Sequence, residues 1–342
     1  MSQEVLTYPY PFALESGQCL PQLQITYHTY GKLNPEKNNV VWVCHALTAN
    51  SDVLDWWKGL FGPTYLFDPE EYFIVCANIL GSCYGTTGPL CPNPESQQPY
   101  YHTFPTITIR DMVRAHEVLR QHLGFSELHT VIGGSLGGQQ AMEWAIQQPG
   151  LIRNLILIST NAFHSPWGIG FNEAQRMAIR ADQTFGQNQP EAGLQGLKAA
   201  RAMALLSYRH YDTYTNTQGE EDLTKIDNYK ASSYQNYQGE KLINRFNAYS
   251  YFSLTKTMDS HHVGRHRGSA PQALAGIKAR TLVIGISSDV LFPVTEQKYL
   301  ADHIPNAVFV EIDSFYGHDG FLIETEKLTH LIEAFYGVSV PN

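Results

Sequence analysis

A serine flanked by glycines is the strongest chemical signal in the chain. Residues 133–137 read GGSLG, with Ser135 at the centre of a G-x-S-x-G pattern. A strand-to-helix turn this tight needs small neighbours, and it holds the central serine in a strained conformation with its hydroxyl exposed. The segment HTVI precedes the pattern as a buried strand, and QQAMEWAI follows it as a helix. Because this is the context that the pattern requires, the sequence predicts that Ser135 is a nucleophile.

A serine nucleophile needs a base and an acid that orients the base. In this strand–turn–helix context the partners follow in the chain order Ser, Asp or Glu, His. Asp289 follows the predicted strand RTLVIGI in the loop SSDVLFP, and His318 follows the predicted strand VFVEI in the loop SFYGHDGF. Both positions lie just past the carboxyl ends of strands, where open α/β sheets place their sites. We expect Ser135, Asp289 and His318 to form a catalytic triad.

The negative charge that develops during acyl transfer needs backbone N–H donors. Leu136, the residue after the nucleophile, offers one N–H group at the start of the following helix. The segment CHALT, residues 44–48, follows a buried strand at the place where the second donor of such a site is found. We expect an oxyanion hole formed by the N–H groups of Leu136 and Leu47.

Apolar periodicity predicts the sheet that must position these residues. Buried or half-buried strands are predicted at 23–30, 40–44, 72–76, 128–132, 152–159, 280–286 and 308–312. Helical spacing of apolar residues is found at 109–119, 139–147 and 321–335. Strands that alternate with helices favour right-handed crossovers, so the expected fold class is α/β with a mostly parallel central sheet.

Residues 162–270 interrupt this alternation. They carry no comparable strand and several helical patterns, and 208–237 within them is polar, aromatic and predicted to be loop-rich. We interpret 162–270 as a helical lid inserted into one α/β domain. The core of that domain is then formed by residues 1–161 and 271–342.

Composition excludes several other classes of protein. The 342 residues are 43% hydrophobic and 16% charged, which argues against intrinsic disorder. The formal net charge of −9 argues against a globally basic nucleic-acid-binding protein. There is no apolar run of membrane-spanning length, no signal-peptide pattern and no cysteine spacing typical of disulfides or zinc. We expect a cytoplasmic protein without a metal, a nucleic-acid partner or a membrane association.

Longer segments of the chain resemble one family. They are HALT (45–48), CANILGSCYGTTGP (76–89), GGSLGGQQAMEWA (133–145), RFNAYSY (245–251) and GHDGFL (317–322). They are similar to those of homoserine O-acetyltransferases of the MetX type, in the α/β-hydrolase superfamily, and the similarity spans nearly the whole chain. It implies transfer of the acetyl group of acetyl-CoA, as co-substrate and without a permanently bound cofactor, to the hydroxyl of L-homoserine. It also implies a ping-pong acyl-serine mechanism, a place in methionine biosynthesis and a homodimer, for which the lid helices are the natural interface.

The resemblance further implies three substrate-binding residues. Arg201 matches the arginine that meets the substrate carboxylate, Tyr208 matches a substrate-contacting tyrosine, and Asp319 matches the aspartate that contacts the substrate amino group. A guanidinium suits a carboxylate and an anion suits an ammonium group, so these residue types fit a small zwitterion. Arg201 and Tyr208 are also seven residues apart in a predicted helix, so they share a face. Asp319 additionally occupies the N-cap position of a helical turn predicted over 320–324.

Three other functions remain open at the level of the sequence. A succinyl-CoA donor or a serine acceptor fits the same motifs, because the shape of the pocket decides between them. A serine esterase fits the triad, although Arg201 and a lid that excludes water favour an amino-acid acceptor. A catalytically inactive binding module fits the fold, but its usual sign is a missing triad member, and no member is missing here.

Overall fold

A central β-sheet organises the computed structural model, which describes residues 2–337. Its strands, and a separate short hairpin, are Ser2–Tyr8 (β1), Phe12–Ala13 (β2), Cys19–Leu20 (β3), Leu23–Tyr30 (β4), Val40–Cys44 (β5), Phe73–Ala77 (β6), Leu128–Gly134 (β7), Ile152–Ile158 (β8), Arg280–Ile286 (β9) and Val308–Ile312 (β10). The α-helices are Val53–Trp56 (α1), Ile109–Leu123 (α2), Leu136–Gln147 (α3), Pro166–Ala181 (α4), Leu194–Tyr208 (α5), Tyr211–Gln218 (α6), Lys230–Ile243 (α7), Ala248–Asp259 (α8), Ala270–Leu274 (α9), Val294–His303 (α10), Gly320–Ile323 (α11) and Thr325–Tyr336 (α12).

The sheet has eight strands in the order β1-β4-β6-β5-β7-β8-β9-β10. β4 runs antiparallel to both β1 and β6, whereas each neighbouring pair from β6 to β10 is parallel. β2 and β3 form the separate antiparallel hairpin. The prediction of an α/β fold with a mostly parallel central sheet is confirmed.

Apolar side chains from alternate strand positions fill both faces of the sheet. In β5, Val40 and Trp42 join the core on one side, and Val41 and Val43 join the core on the other. The first core also takes side chains from α2 and α3, and the second takes them from α12. Burial of both faces explains why the strand reads as a continuous apolar run.

The prediction of one closing helix over 321–335 is wrong in one respect, because the segment forms two helices. They meet at Glu324, which has φ −79° and ψ 44°. In a continuous helix the carbonyl of Phe321 would accept from the N–H of residue 325. Here the indole Nε1 of Trp57 donates to that carbonyl instead, at 3.0 Å. A contact from a residue 264 positions away therefore ends the first helix.

The segment between β8 and β9 is helical, with α4 to α8 lying inside residues 162–270. The ends of this helical insertion are joined by an isolated antiparallel bridge between Phe163 and His262. The prediction that 208–237 is loop-rich is only partly correct, since it contains α6 and the start of α7. α6 is fixed by contacts that its own polar sequence does not display, including the hydrogen bond that the Thr213 hydroxyl donates to the Phe315 carbonyl.

Within residues 2–337, no helix is long and apolar enough to cross a membrane.

Candidate active site

Ser135 alone forms the turn between β7 and α3. β7 ends at Gly134 and α3 begins at Leu136, and Ser135 has φ 55° and ψ −126°. A positive φ is strained for a residue with a side chain, so the surrounding structure must hold it. Gly137 makes the close approach possible, because a Cβ there would lie 2.0 Å from the carbonyl oxygen of Cys44. The strained turn predicted from G-x-S-x-G is therefore present.

His318 and Asp289 form a buried hydrogen-bonded pair. Nδ1 of His318 lies 2.7 Å from Oδ2 of Asp289, and the other carboxylate oxygen accepts from the N–H groups of Leu291 and Phe292, both at 2.9 Å. These bonds fix the carboxylate and direct the Nδ1–H of His318 to it. Nε2 is thus the nitrogen that remains to take a proton.

The pKa of His318 is raised above its ordinary value of 6.5. Burial by itself lowers the pKa, because it disfavours the charged ring. The Asp289 carboxylate, by charge and by hydrogen bond, and the Asp319 carboxylate raise it by more. The imidazolium that forms after proton transfer is therefore stabilised.

Ser135 and His318 line one cavity of about 480 Å³. In the structure as described, their side chains are not hydrogen-bonded to each other. In enzymes without substrate such contacts are often long and tighten only on binding. Phe292 stacks on the His318 ring at 5.1 Å between centroids, and Phe321 meets it edge-on at 5.3 Å. These contacts limit how far the imidazole can turn.

The loop after β5 brings Leu47 to the same cavity. Among the described residues, the backbone N–H groups of Leu47 and Leu136 have no hydrogen-bond partner. Gln140 ties the two segments together, since its Nε2 donates to the carbonyls of His45 and Leu136 at 3.1 Å each. Two unsatisfied donors next to the serine are the arrangement that an oxyanion hole requires.

The helical insertion contributes Arg201 and Tyr208 to this cavity. The guanidinium carbon of Arg201 lies 5.4 Å from the centroid of the Tyr208 ring, a cation–π distance, as their shared helix face predicts. In the part of the chain that is described, no carboxylate lies within 4 Å of Arg201. The arginines that do have such a carboxylate partner are Arg110, Arg114, Arg120, Arg176, Arg180, Arg209, Arg265 and Arg267.

Asp319 also lines the cavity, and it occupies the N-cap position of α11, as the alternative interpretation of this residue expects. Its side chain makes no capping hydrogen bond to α11. Instead, Oδ2 lies 3.0 Å from Nε of Arg209, without the alignment of a hydrogen bond. Burial raises the pKa of Asp319, and the charges of Arg209, Arg201 and His318 oppose that rise. The attraction of Arg209 explains why the carboxylate does not turn back toward the helix.

Arg209 is the residue of the site that the sequence reasoning missed. It follows Tyr208 directly at the end of α5, where that helix meets the turn that carries His318. Gly317, with φ 63°, allows this meeting, because a Cβ there would lie 2.9–3.1 Å from the backbone of residues 208–210. The sequence did contain a signal for Arg209, because this arginine directly follows Tyr208, a tyrosine predicted to contact the substrate.

The structure also bears on metals and cofactors. Across residues 2–337, no group of three or more His, Cys, Asp or Glu side chains is arranged to hold a metal ion. The five cysteines are free thiols, and burial raises the pKa of Cys44 and Cys76.

Fold and site together define a class. The chain matches the α/β-hydrolase fold family over residues 39–325. In the sheet of this fold, the serine turn and the loops that carry Asp289 and His318 all follow the carboxyl ends of strands. The superposition on the crystal structure of esterase E22, with a TM-score of 0.89, 23% identity, and coverage of 98% of this chain and 99% of that one, shows the shared fold alone.

Relatives with higher identity narrow the class. A homoserine O-acetyltransferase of Cyclobacterium marinum is 51% identical over 336 residues, which cover 98% of this chain and 95% of the relative. The crystal structure of homoserine O-acetyltransferase from Bacillus anthracis superposes with a TM-score of 0.91 at 25% identity, covering 100% of this chain and 99% of that one. The chain therefore belongs to the homoserine O-acetyltransferase family of the α/β hydrolases.

Proposed function

We propose that the protein is an acyltransferase that moves the acetyl group of acetyl-CoA to the hydroxyl of L-homoserine through an acetyl-serine intermediate. Its relatives carry this name at high coverage. The observation that carries the proposal for this chain is an arginine without a carboxylate partner, Arg201, in the same cavity as Ser135 and His318. An esterase that uses water as the acceptor has no need of such a cation.

The first half-reaction forms the acetyl-serine. Nε2 of His318 takes the hydroxyl proton of Ser135 while the serine oxygen attacks the thioester carbon. The carbonyl oxygen becomes an oxyanion that accepts hydrogen bonds from the N–H groups of Leu47 and Leu136. When the carbon–sulfur bond breaks, His318 returns the proton to sulfur and coenzyme A leaves as the thiol.

The second half-reaction transfers the acetyl group to the amino acid. The carboxylate of homoserine pairs with Arg201, beside Tyr208, and its ammonium group with Asp319. His318 then takes the proton of the homoserine hydroxyl, whose oxygen attacks the acetyl-serine carbon. Collapse of the second oxyanion breaks the ester to Ser135, which recovers its proton from His318. O-acetylhomoserine, an intermediate of methionine biosynthesis, is released.

A matrix of donors and acceptors tests the proposal. Acetyl-CoA and succinyl-CoA are each combined with L-homoserine, L-serine and water, and thiol release is followed. We expect the highest kcat/KM for acetyl-CoA with homoserine and a slow rate with water alone. Steady thiol release that is as fast without homoserine as with it would make the protein an esterase. A preference for succinyl-CoA or serine would keep the mechanism and change the substrate.

The predicted homodimer and cytoplasmic location belong to the same proposal. Exposed apolar side chains on α4 and α5 support an interface through the helical insertion, namely Met177, Met203 and Leu206. Light scattering after size-exclusion chromatography should give twice the chain mass of 38.5 kDa. A monomer of unchanged activity would contradict the predicted dimer.

A further inference from the structure

The cavity that contains Ser135 carries more positive charge than the reaction at its centre needs. It is lined by four cations, Arg201, Arg209, Lys241 and Arg245, and by two carboxylates, Asp55 and Asp319. The local excess of two positive charges lies in a chain whose formal net charge is −9. A small zwitterionic acceptor needs only one cation and one anion, so the other cations require a separate explanation.

Lys241 and Arg245 lie on the α7 side of the cavity. Lys241 lies on α7, three positions after Gln238, another lining residue, so these two share a helical face. Arg245 lies in the turn just past the end of α7 at Ile243. Both cations are exposed, so they lie at the mouth of the cavity and not at its base. The neighbouring acid of the helix, Glu240, is occupied by Lys198 at 2.6 Å.

The two cations differ in how they are held. Nη1 of Arg245 donates to the Thr48 carbonyl and, at 2.6 Å, to the Tyr84 hydroxyl, which fixes the guanidinium across the loop after β5. Neither contact is with an anion, so the charge of Arg245 stays uncompensated. Lys241 has no ion pair or side-chain hydrogen bond with any residue from 2 to 337. One positioned guanidinium and one free ammonium are well suited to phosphate.

We propose that Lys241 and Arg245 form a phosphate-binding site at the mouth of the cavity, which holds the diphosphate and ribose 3′-phosphate end of the acyl donor. The inference deepens the proposed function and rests on it, because acetyl-CoA is the substrate with this chemistry. The thioester end then reaches Ser135 past the loop that Arg245 fixes. Arg201 and Asp319, which line the same cavity, are left for the amino acid.

Donors with and without phosphates test this site. Thiol release from acetyl-CoA is compared with release from acetyl-pantetheine, which has the same thioester and arm but no nucleotide. We expect Lys241→Ala to lower kcat/KM for acetyl-CoA about fivefold, and Lys241→Ala with Arg245→Gln to lower it about thirtyfold. With acetyl-pantetheine, Lys241→Ala should stay within about twofold of the unmodified protein. Added salt should slow the unmodified protein with acetyl-CoA more than the double variant.

A matched control removes the same charge elsewhere. Lys278→Ala changes an exposed lysine that precedes β9, at the edge of the sheet opposite the site, and should leave both donors unaffected. Because Arg245 also supports the Leu47 loop, Lys241→Ala is the decisive variant. A binding measurement removes catalysis altogether: Ser135→Ala should bind coenzyme A more tightly than pantetheine in calorimetry, and Lys241→Ala added to it should reduce that difference.

The possible outcomes separate the two proposals. If the unmodified protein releases no thiol from acetyl-CoA, the proposed function fails and the phosphate site fails with it. If acetyl-CoA is a good donor but Lys241→Ala behaves like Lys278→Ala, the phosphate site alone is overturned. Equal losses with both donors would also overturn it, because the cations would then act on the chemistry or on the loop.

Discussion

The two sides of the cavity are built differently. On the sheet side, Asp289 and His318 are buried and satisfy each other, and Ser135 is held in a strained turn between two regular elements. On the side of the helical insertion, Arg201 and Lys241 have no carboxylate partner in the described chain and are partly or fully exposed. The Asp289–His318 pair is satisfied without a ligand, whereas Arg201 and Lys241 have no carboxylate partner among the described residues and are available to pair with a ligand.

This difference assigns separate tasks to the two sides. A preorganised set of hydrogen bonds costs no reorganisation during the reaction, which suits the steps common to all acyl transfer. Uncompensated charges gain most from the substrate that pairs with them, which suits the choice of substrate. Mutations on the sheet side should therefore affect both half-reactions, and mutations on the insertion side only the half-reaction whose substrate they bind.

The largest effect is expected on the sheet side. Ser135→Ala should leave a folded protein whose transfer rate falls by roughly four orders of magnitude or more, because triad residues act as a unit. The measurement is kcat/KM with acetyl-CoA and homoserine, together with an intact mass after acetyl-CoA alone. The unmodified protein should gain one acetyl group and the variant none. Ser96→Ala, at an exposed loop serine, is the control. Near-normal turnover of Ser135→Ala would contradict the proposed acetyl-serine mechanism.

A smaller and selective effect is expected for Arg201. Arg201→Ala should lower kcat/KM for homoserine about ten- to a hundredfold, since a lost charge-assisted hydrogen bond costs about 1.5–3 kcal/mol. Acetylation of Ser135 should change much less, because that step does not involve the amino acid. Lysine at this position should restore activity only in part, since an ammonium lacks the planar fork.

Arg153→Ala provides the control for that variant. It removes an exposed arginine near the start of β8, at the edge of the sheet opposite the site. Equal losses in both half-reactions of Arg201→Ala would show that Arg201 is structural. A variant as active as Arg153→Ala would place the acceptor carboxylate elsewhere in the insertion.

Arg209 is expected to act through Asp319, as a positioning residue. Arg209→Leu removes the cation that opposes the raised pKa of Asp319, so a larger fraction of the carboxyl is neutral. The KM for homoserine should rise about fivefold to tenfold, most strongly at acidic pH, while kcat changes little. Arg209→Lys should recover part of the loss. A lower KM in Arg209→Leu would mean that Arg209 competes with the substrate ammonium group.

The sequence was most informative where local constraints decide the structure. The strands 280–286 and 308–312 have the predicted bounds. In 280–286 every residue after Arg280 is buried, which leaves a continuous apolar signal. The turn at Ser135 is likewise encoded by its own glycines. The chain order of serine, acid and histidine was therefore enough to find the Asp289–His318 pair.

The rest depends on contacts between distant residues. Neither the end of α11, set by Trp57, nor α6, which is anchored to Phe315, has a signal in its own segment. The pairing of Arg209 with Asp319 joins residues 110 positions apart and requires the approach that Gly317 allows. Periodicity describes one element at a time, so a site that two elements share is visible only in the folded chain.

The smallest expected effect links Asp319, the carboxylate proposed to bind the acceptor, to His318 through charge. His318 accepts a proton only when it is neutral, and the Asp289 and Asp319 carboxylates hold its pKa above 6.5 against the effect of burial. Acetylation of Ser135 should therefore slow as the pH falls through that raised pKa, because the imidazolium cannot act as a base.

Asp319→Asn removes one of the two carboxylates that raise this pKa, so the acid limb should move to lower pH. On the acid limb the variant should therefore keep a larger fraction of its own plateau activity than the unmodified protein does. The measurement is the burst of thiol from acetyl-CoA without homoserine, from roughly pH 5 to 9, so that lost binding of the ammonium group cannot contribute. Asp55→Asn removes a carboxylate from the same cavity that does not affect the pKa of His318, and its limb should stay in place. An unchanged limb in Asp319→Asn would mean that Asp319 does not influence the protonation of His318.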